Sequence, residues 1–161
     1  MRDTSLVYPI DPAGRVLMGY KLRGMGKGKW NGFGGKLENG ETMRGCAVRE
    51  LWEECGLTAD PADLIHCGEL YFDQPSDRTW SHGGSVYIVR KWQGNPAASE
   101  EMKPRWILPA ELPYEEMWQA DVKWLPLILK GSLVKGTITF AEDGDTVISC
   151  QLTEVNSIDE R

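Results

Sequence analysis

The segment GKLENGETMRGCAVRELWEECGL, positions 35–57, constrains this chain more than any other part of it. It sets Glu38, Glu41, Glu50, Glu53 and Glu54 around a short apolar periodicity. On an α-helix each residue turns ~100° from the last, so with Leu51 at zero Ala47, Val48 and Cys55 fall within roughly 60° of it. Those residues form an apolar stripe that faces a core. On the same wheel Glu50, Glu54 and Glu53 lie about 60° to 160° to one side, crowding carboxylates beside the stripe. Like charges one turn apart cost a few tenths of a kcal/mol, and more where they are partly buried. A cation removes that cost, and carboxylate oxygens suit the hard ions Mg²⁺ and Mn²⁺.

Taken alone, Arg49-Glu50-Leu51-Trp52-Glu53-Glu54 also suits a solvated helix face, where Arg49 and Glu53 make an i,i+4 pair of small value. The flanks favour the metal. Thr42 is placed as an N-cap and Gly56 as the C′ glycine, which bounds a helix at about 42–55. Gly32, Gly34, Gly35 and Gly40 precede it, and glycine lets backbone approach a ligand closely. A glycine loop leading into a carboxylate-laden helix suits phosphate and metal together.

Gly35, Glu41, Arg49-Glu50-Leu51, Glu53-Glu54 and Gly56-Leu57 match every defined position of the Nudix box, so the chain resembles the Nudix hydrolases. The resemblance implies an α/β fold: an α/β/α sandwich with a mixed sheet and a catalytic strand-loop-helix-loop unit. Further segments resemble the MutT-like branch, whose animal members sanitise oxidised purine nucleotides. These are Lys21 to Lys36, Ser99 to Trp106, Leu112 to Trp118 and Trp124 to Leu127. They keep their order from residue 5 to about 130.

A chain of 161 residues is one domain's length, so 1–161 is read as a single domain with a real core. Cys46, Cys55, Cys67 and Cys150 form no CxxC pair, which fits reduced thiols and a cytoplasmic protein. No signal peptide or membrane-length apolar run is present in the sequence. A net charge of -6 argues against a grip on nucleic-acid polymer, whereas a free nucleotide carried with Mg²⁺ meets no obstacle. The expected partner is that small molecule, with no membrane, and the expected state is a monomer.

Leu6 to Ile10 and Val16 to Lys21 read as strands around the turn Asp11-Pro12-Ala13-Gly14. Cys67 to Phe72 and Ser85 to Trp92 are further strands, separated by a polar loop from Asp73 to Gly84, and Trp106-Ile107-Leu108 is a short one ended by Pro109. A helix is expected from about Asp121 to Lys130, with Pro126 marking either a kink or a true start near Leu125. Thr137 to Phe140 and Thr146 to Leu152 read as a terminal hairpin, followed by a frayed Asn156 to Arg161. Strands interspersed with two substantial helices favour a mixed-sheet α/β class.

Hydrolysing a phosphoanhydride needs neutralised phosphates, a positioned water and in-line geometry, which metals supply. Glu50, Glu53 and Glu54 are the direct metal-ligand candidates. The resemblance adds the Gly34 carbonyl and Glu101, a loop carboxylate that either ligates metal or takes a proton from the attacking water. Arg49 is expected to orient a glutamate of the helix, and Glu41 to tie down the loop. The resemblance implies attack at the β-phosphorus of a triphosphate, giving the monophosphate and pyrophosphate.

For the base, Asn31, Trp118 and Asp121 match the positions that hold a purine in the MutT-like branch. The amide and carboxylate address the base edge, and the indole stacks on its face, worth roughly 1 to 3 kcal/mol. Phe72, Met102, Lys21, Ser5 and Met25 match other pocket positions. Trp118, Phe72 and Trp124 equally suit an ordinary core. Where the animal members carry two adjacent aspartates, this chain has Ala120-Asp121, which implies a narrower pocket for guanine-type bases such as 8-oxo-dGTP. Two alternatives stay open: hydrolysis of another nucleoside diphosphate derivative, such as ADP-ribose, a dinucleoside polyphosphate or an ordinary dNTP, and a nucleotide-binding sensor without catalysis.

Overall fold

The structure, a computed structural model, describes residues 1–159. Its strands are β1 (Thr4–Pro9), β2 (Val16–Lys21), β3 (Trp30–Asn31), β4 (Ile65–Asp73), β5 (His82–Val89), β6 (Met102–Ile107), β7 (Leu133–Phe140) and β8 (Val147–Val155); its helices are α1 (Met43–Cys55) and α2 (Asp121–Leu129). One sheet has the order β1-β5-β4-β7-β8 and a second the order β3-β2-β6. The larger sheet is mixed: β1 runs parallel to β5 and β4 to β7, while β5 with β4 and β7 with β8 are antiparallel.

Neighbouring residues of one strand feed opposite cores. Val7, Leu17 and Tyr87 join Ala47, Leu51 and Cys55 of α1 in one cluster. Tyr8, Met18 and Ile88 join Trp124, Leu125 and Ile128 of α2 in the other. Side chains alternate across a strand, so strands buried on both faces need apolar runs without polar interruption. The Val-Leu-Met run that opens β2 is such a run, buried throughout. Helices therefore cover both faces of the strands, which is the mixed α/β sandwich expected from the sequence. Each fully buried aliphatic side chain contributes about 1.5–3 kcal/mol.

The helix ends follow their sequence signals. Thr42 Oγ1 accepts from Gly45 N at 3.0 Å, and Gly56, at φ 78°, donates to the Trp52 carbonyl at 2.9 Å. That positive φ is the left-handed cap that glycine adopts without a Cβ penalty.

Other boundaries differ from expectation. Helix α2 starts at Asp121 and runs through Pro126, so the alternative start near Leu125 is not adopted. Pro126 forgoes its bond to the carbonyl one turn back, on exposed Val122, where water can replace it. Strand β6 begins at Met102, not Trp106, and Pro104 is tolerated because β6 is an edge strand. Strand β7 begins at Leu133, before the expected Thr137, and takes in Gly136, where a Cβ would stand 2.2 Å from the Gln151 carbonyl oxygen. Strand β5 starts at His82, inside the segment read as loop. Residues 156–159 carry no regular structure, and the last two positions of the expected frayed end lie outside the described residues.

Candidate active site

Helix α1 carries a ledge of carboxylates along its flank. Arg49 organises it: Nε and Nη2 donate to the two Glu41 oxygens at 2.7 and 3.0 Å, and Nη1 donates to Glu50 at 2.9 Å and Glu53 at 3.3 Å. Glu41 in turn accepts from the Glu38 backbone N–H at 3.0 Å, which pins the loop before the helix. The paired guanidinium holds the Glu41 carboxyl below its usual range. Planar bidentate pairing of this kind fixes orientation as well as energy.

The innermost carboxylates are differently placed. Glu54 has a side chain only 5% exposed, and burial pushes its pKa up to about 8, opposed by the Gly34 N–H that donates to Oε1 at 2.8 Å. Burial also raises Glu50, against the pull of Arg49. Gly35 lies against it: a Cβ there would stand 2.6 Å from Glu50 Oε1, so a larger residue would displace that carboxylate from the ledge. Lys21 Nζ stands 3.2 Å from Glu101 Oε2 and 3.9 Å from Glu54 Oε2. Arg23 donates through Nε to Glu101 at 2.8 Å and holds its carboxyl below the usual range.

Among the described residues, no group of three or more His, Cys, Asp or Glu side chains is drawn together tightly enough to hold a metal alone. The donor chemistry nonetheless fits Mg²⁺ or Mn²⁺. Glu50 and Glu54 are oxygen donors whose charged forms lack full compensation, and Mg²⁺ commonly takes one or two carboxylates beside waters and substrate phosphates.

Next to the ledge a cavity of about 210 Å³ opens. Pockets that take whole ligands typically run ~300–1,000 Å³, so this one suits part of a nucleotide. Of the residues expected at the base, Asn31, Trp118, Asp121, Phe72, Ser5 and Met25 line it. Asn31 Nδ2 donates to the Lys29 carbonyl at 3.1 Å, which leaves its oxygen available. Lys29 Nζ lies 5.3 Å from the centre of the Trp118 ring. Asp121 is buried and pushed up to about 8 by desolvation, so it carries a proton at neutral pH.

Lys21 and Met102 are not brought to the cavity. Lys21 sits among the carboxylates instead, and Met102 is 1% exposed in the core under α1, filling the space opposite Gly19. Trp80, His82 and Phe140 line the cavity without having been singled out from the sequence. The sequence signals were Trp80, an aromatic ring inside the otherwise polar segment 73–84, and Phe140, the aromatic end of a strand-like run.

A NUDIX domain model matches residues 1–128, and the chain belongs to the Nudix family. It is 40% identical to the oxidized purine nucleoside triphosphate hydrolase of Danio rerio, over 96% of each chain, and 38% identical to the Mus musculus protein of the same name, over 95% of each. A MutT protein from Bacillus halodurans superposes with a TM-score of 0.81 at 23% identity, covering 94% of this chain and 97% of its own, which establishes the common fold.

Proposed function

We propose that this chain hydrolyses oxidised purine nucleoside triphosphates of the 8-oxo-dGTP type to the monophosphate and pyrophosphate, in nucleotide-pool sanitation. The carrying observation is a shared wall. Gly34 and Gly35 line the aromatic cavity, and the same two residues touch Glu54 and Glu50. A base seated in the cavity therefore lays its phosphates along the ledge. Near full-length likeness to relatives named for oxidised purine triphosphates supports the same substrate class.

Mg²⁺, with Mn²⁺ as a substitute, would be held by Glu50, Glu54, Glu53, Glu101 and the Gly34 carbonyl, and supplies charge neutralisation and an activated water. Arg49 keeps Glu50 and Glu53 in orientation. Glu101, ionised beside Lys21 and Arg23, is the carboxylate from outside the helix, for ligation or proton transfer. Trp118 and Phe72 contact the base faces, while Asn31 and protonated Asp121 offer acceptor and donor to its edge. We assign these roles to a single domain, acting as a cytoplasmic monomer on a free nucleotide without polymer or membrane.

The test is pyrophosphate release from 8-oxo-dGTP, dGTP, 2-hydroxy-dATP and ADP-ribose, with Mg²⁺ and with chelator. The expected result is Mg²⁺-dependent turnover fastest on 8-oxo-dGTP. Preference for ADP-ribose would overturn the substrate, and tight binding without turnover would make the protein a sensor.

A further inference from the structure

His82 is a buried polar side chain that the ledge does not use. It opens β5, is 7% exposed and lines the base cavity. Its ring is wedged between Phe72, at 5.4 Å between centroids, and Trp80, at 5.1 Å and 78°. Nδ1 lies 2.8 Å from the Trp80 carbonyl oxygen. A carbonyl only accepts, so Nδ1 carries the hydrogen and Nε2 of the neutral ring is left a bare acceptor. Burial, which lowers the His82 pKa, keeps the ring in that neutral form. Among the described residues Nε2 has no hydrogen-bond partner. Nε2 is not among the sealed, unpartnered atoms of the interior, so it stays open to a donor from the cavity that His82 lines.

Purines differ in what they offer such an atom. In guanine N7 is an acceptor and repels a second acceptor. Oxidation to the 8-oxo form places a hydrogen on N7 and turns the same edge into a donor. Asn31 and Asp121 reach the cavity from the smaller sheet and from α2, whereas His82 reaches it from the larger sheet, so separate walls are available for separate edges of one base.

We propose that His82 Nε2 accepts the N7 hydrogen of an 8-oxopurine and so makes His82 a residue that selects oxidised over unoxidised base. The assignment rests on the substrate reading above. It explains how the oxidation itself is sensed, which neither an aromatic stack nor contacts to the opposite edge can do, since both are alike for the two bases.

The experiment compares kcat/KM for 8-oxo-dGTP, dGTP and 8-bromo-dGTP in the wild type, His82→Phe and His82→Gln. The bromo nucleotide carries bulk at C8 but no hydrogen on N7. The wild type is expected to treat it like dGTP, and His82→Phe to lower the 8-oxo-dGTP to dGTP ratio by roughly 10- to 100-fold, the scale of one buried hydrogen bond. His82→Gln, whose amide oxygen reaches toward the Nε2 position, recovers part of the ratio. An unchanged ratio in His82→Phe overturns the assignment, as does equal loss on both nucleotides, which marks a structural role. Should His82→Phe not fold, the wild-type comparison decides: 8-bromo-dGTP turned over as well as 8-oxo-dGTP overturns the assignment. A wild type with no preference for 8-oxo-dGTP overturns the substrate reading itself, and is told apart because it needs no variant.

Discussion

The carboxylate ledge and the base cavity lie side by side yet are built in opposite ways. The ledge comes from one continuous segment, positions 35–57, apart from Lys21, Arg23 and Glu101, which join it from around the end of β2 and the start of β6. One arginine satisfies three of its glutamates. The cavity draws on β1, β3, β4, β5, the start of α2 and the β7–β8 turn, and it leaves Asp121 protonated and His82 without a full set of partners. Local wiring suits chemistry that is common to a family. Assembly from many segments suits recognition that must be adjusted.

The largest effect is expected at the ledge. Glu54→Gln keeps the shape and the Gly34 hydrogen bond to an oxygen, and is expected to cut turnover by about 10²- to 10⁴-fold with an unchanged circular dichroism spectrum. Turnover within threefold of wild type would remove Glu54 from the chemistry. Gly34→Ala attacks the wall between the two regions, because its Cβ would stand 1.8 Å from the Ser5 carbonyl oxygen. A loss of about 3 kcal/mol or more in urea unfolding is expected, the upper end of overpacking penalties.

Asp121→Asn probes the cavity through pH. The folded protein holds a proton on Asp121 up to about pH 8, whereas the unfolded chain releases it near the ordinary aspartate value of 3.8. Between those values the folded state binds more protons, so this group's contribution to stability falls as pH rises. The variant is expected to gain on wild type by up to ~1.4 kcal/mol per pH unit in that window. A difference that stays flat from pH 5 to 8 would show that Asp121 is already ionised. The smallest effect belongs to Trp52→Ala: at 61% exposed on the outer face of α1, it is expected to change stability by about 0.5 kcal/mol or less. A larger loss would mean that the outer face of the helix is covered.

Legibility in the sequence follows the same division. Helix α1 was readable to within a residue because Thr42, Gly56 and the Leu51 stripe encode it within one window, and sequence-local signals need no tertiary partner. The mixed-sheet α/β class was readable from the order of strand-like and helical runs and from the Nudix resemblance. Strand starts were less so, because Met102 and Leu133 join their strands through pairing with Lys21 and Val155, which no window contains. At the cavity, Asn31, Trp118 and Asp121 came through resemblance. Lys21 did not arrive there because its charge is satisfied at Glu101, and Met102 because Gly19 leaves a hole that the thioether fills. His82 was hidden in Ser81-His82-Gly83-Gly84, which reads as loop; only pairing of His82 with Phe72 across β4 and β5 buries it.

The close approach of Gly34 to β1 limits how such a protein can change. Backbone, not side chain, forms the partition between phosphate and base, so no substitution there enlarges one compartment without displacing the other. Divergence in base preference is thereby channelled to the far rim, where Phe72, Trp80, His82 and the turn at Gly144 line the cavity and, among the described residues, make no hydrogen bond to the α1 glutamates. A mutant library confined to that rim is the shortest route to a new nucleotide with hydrolysis left running.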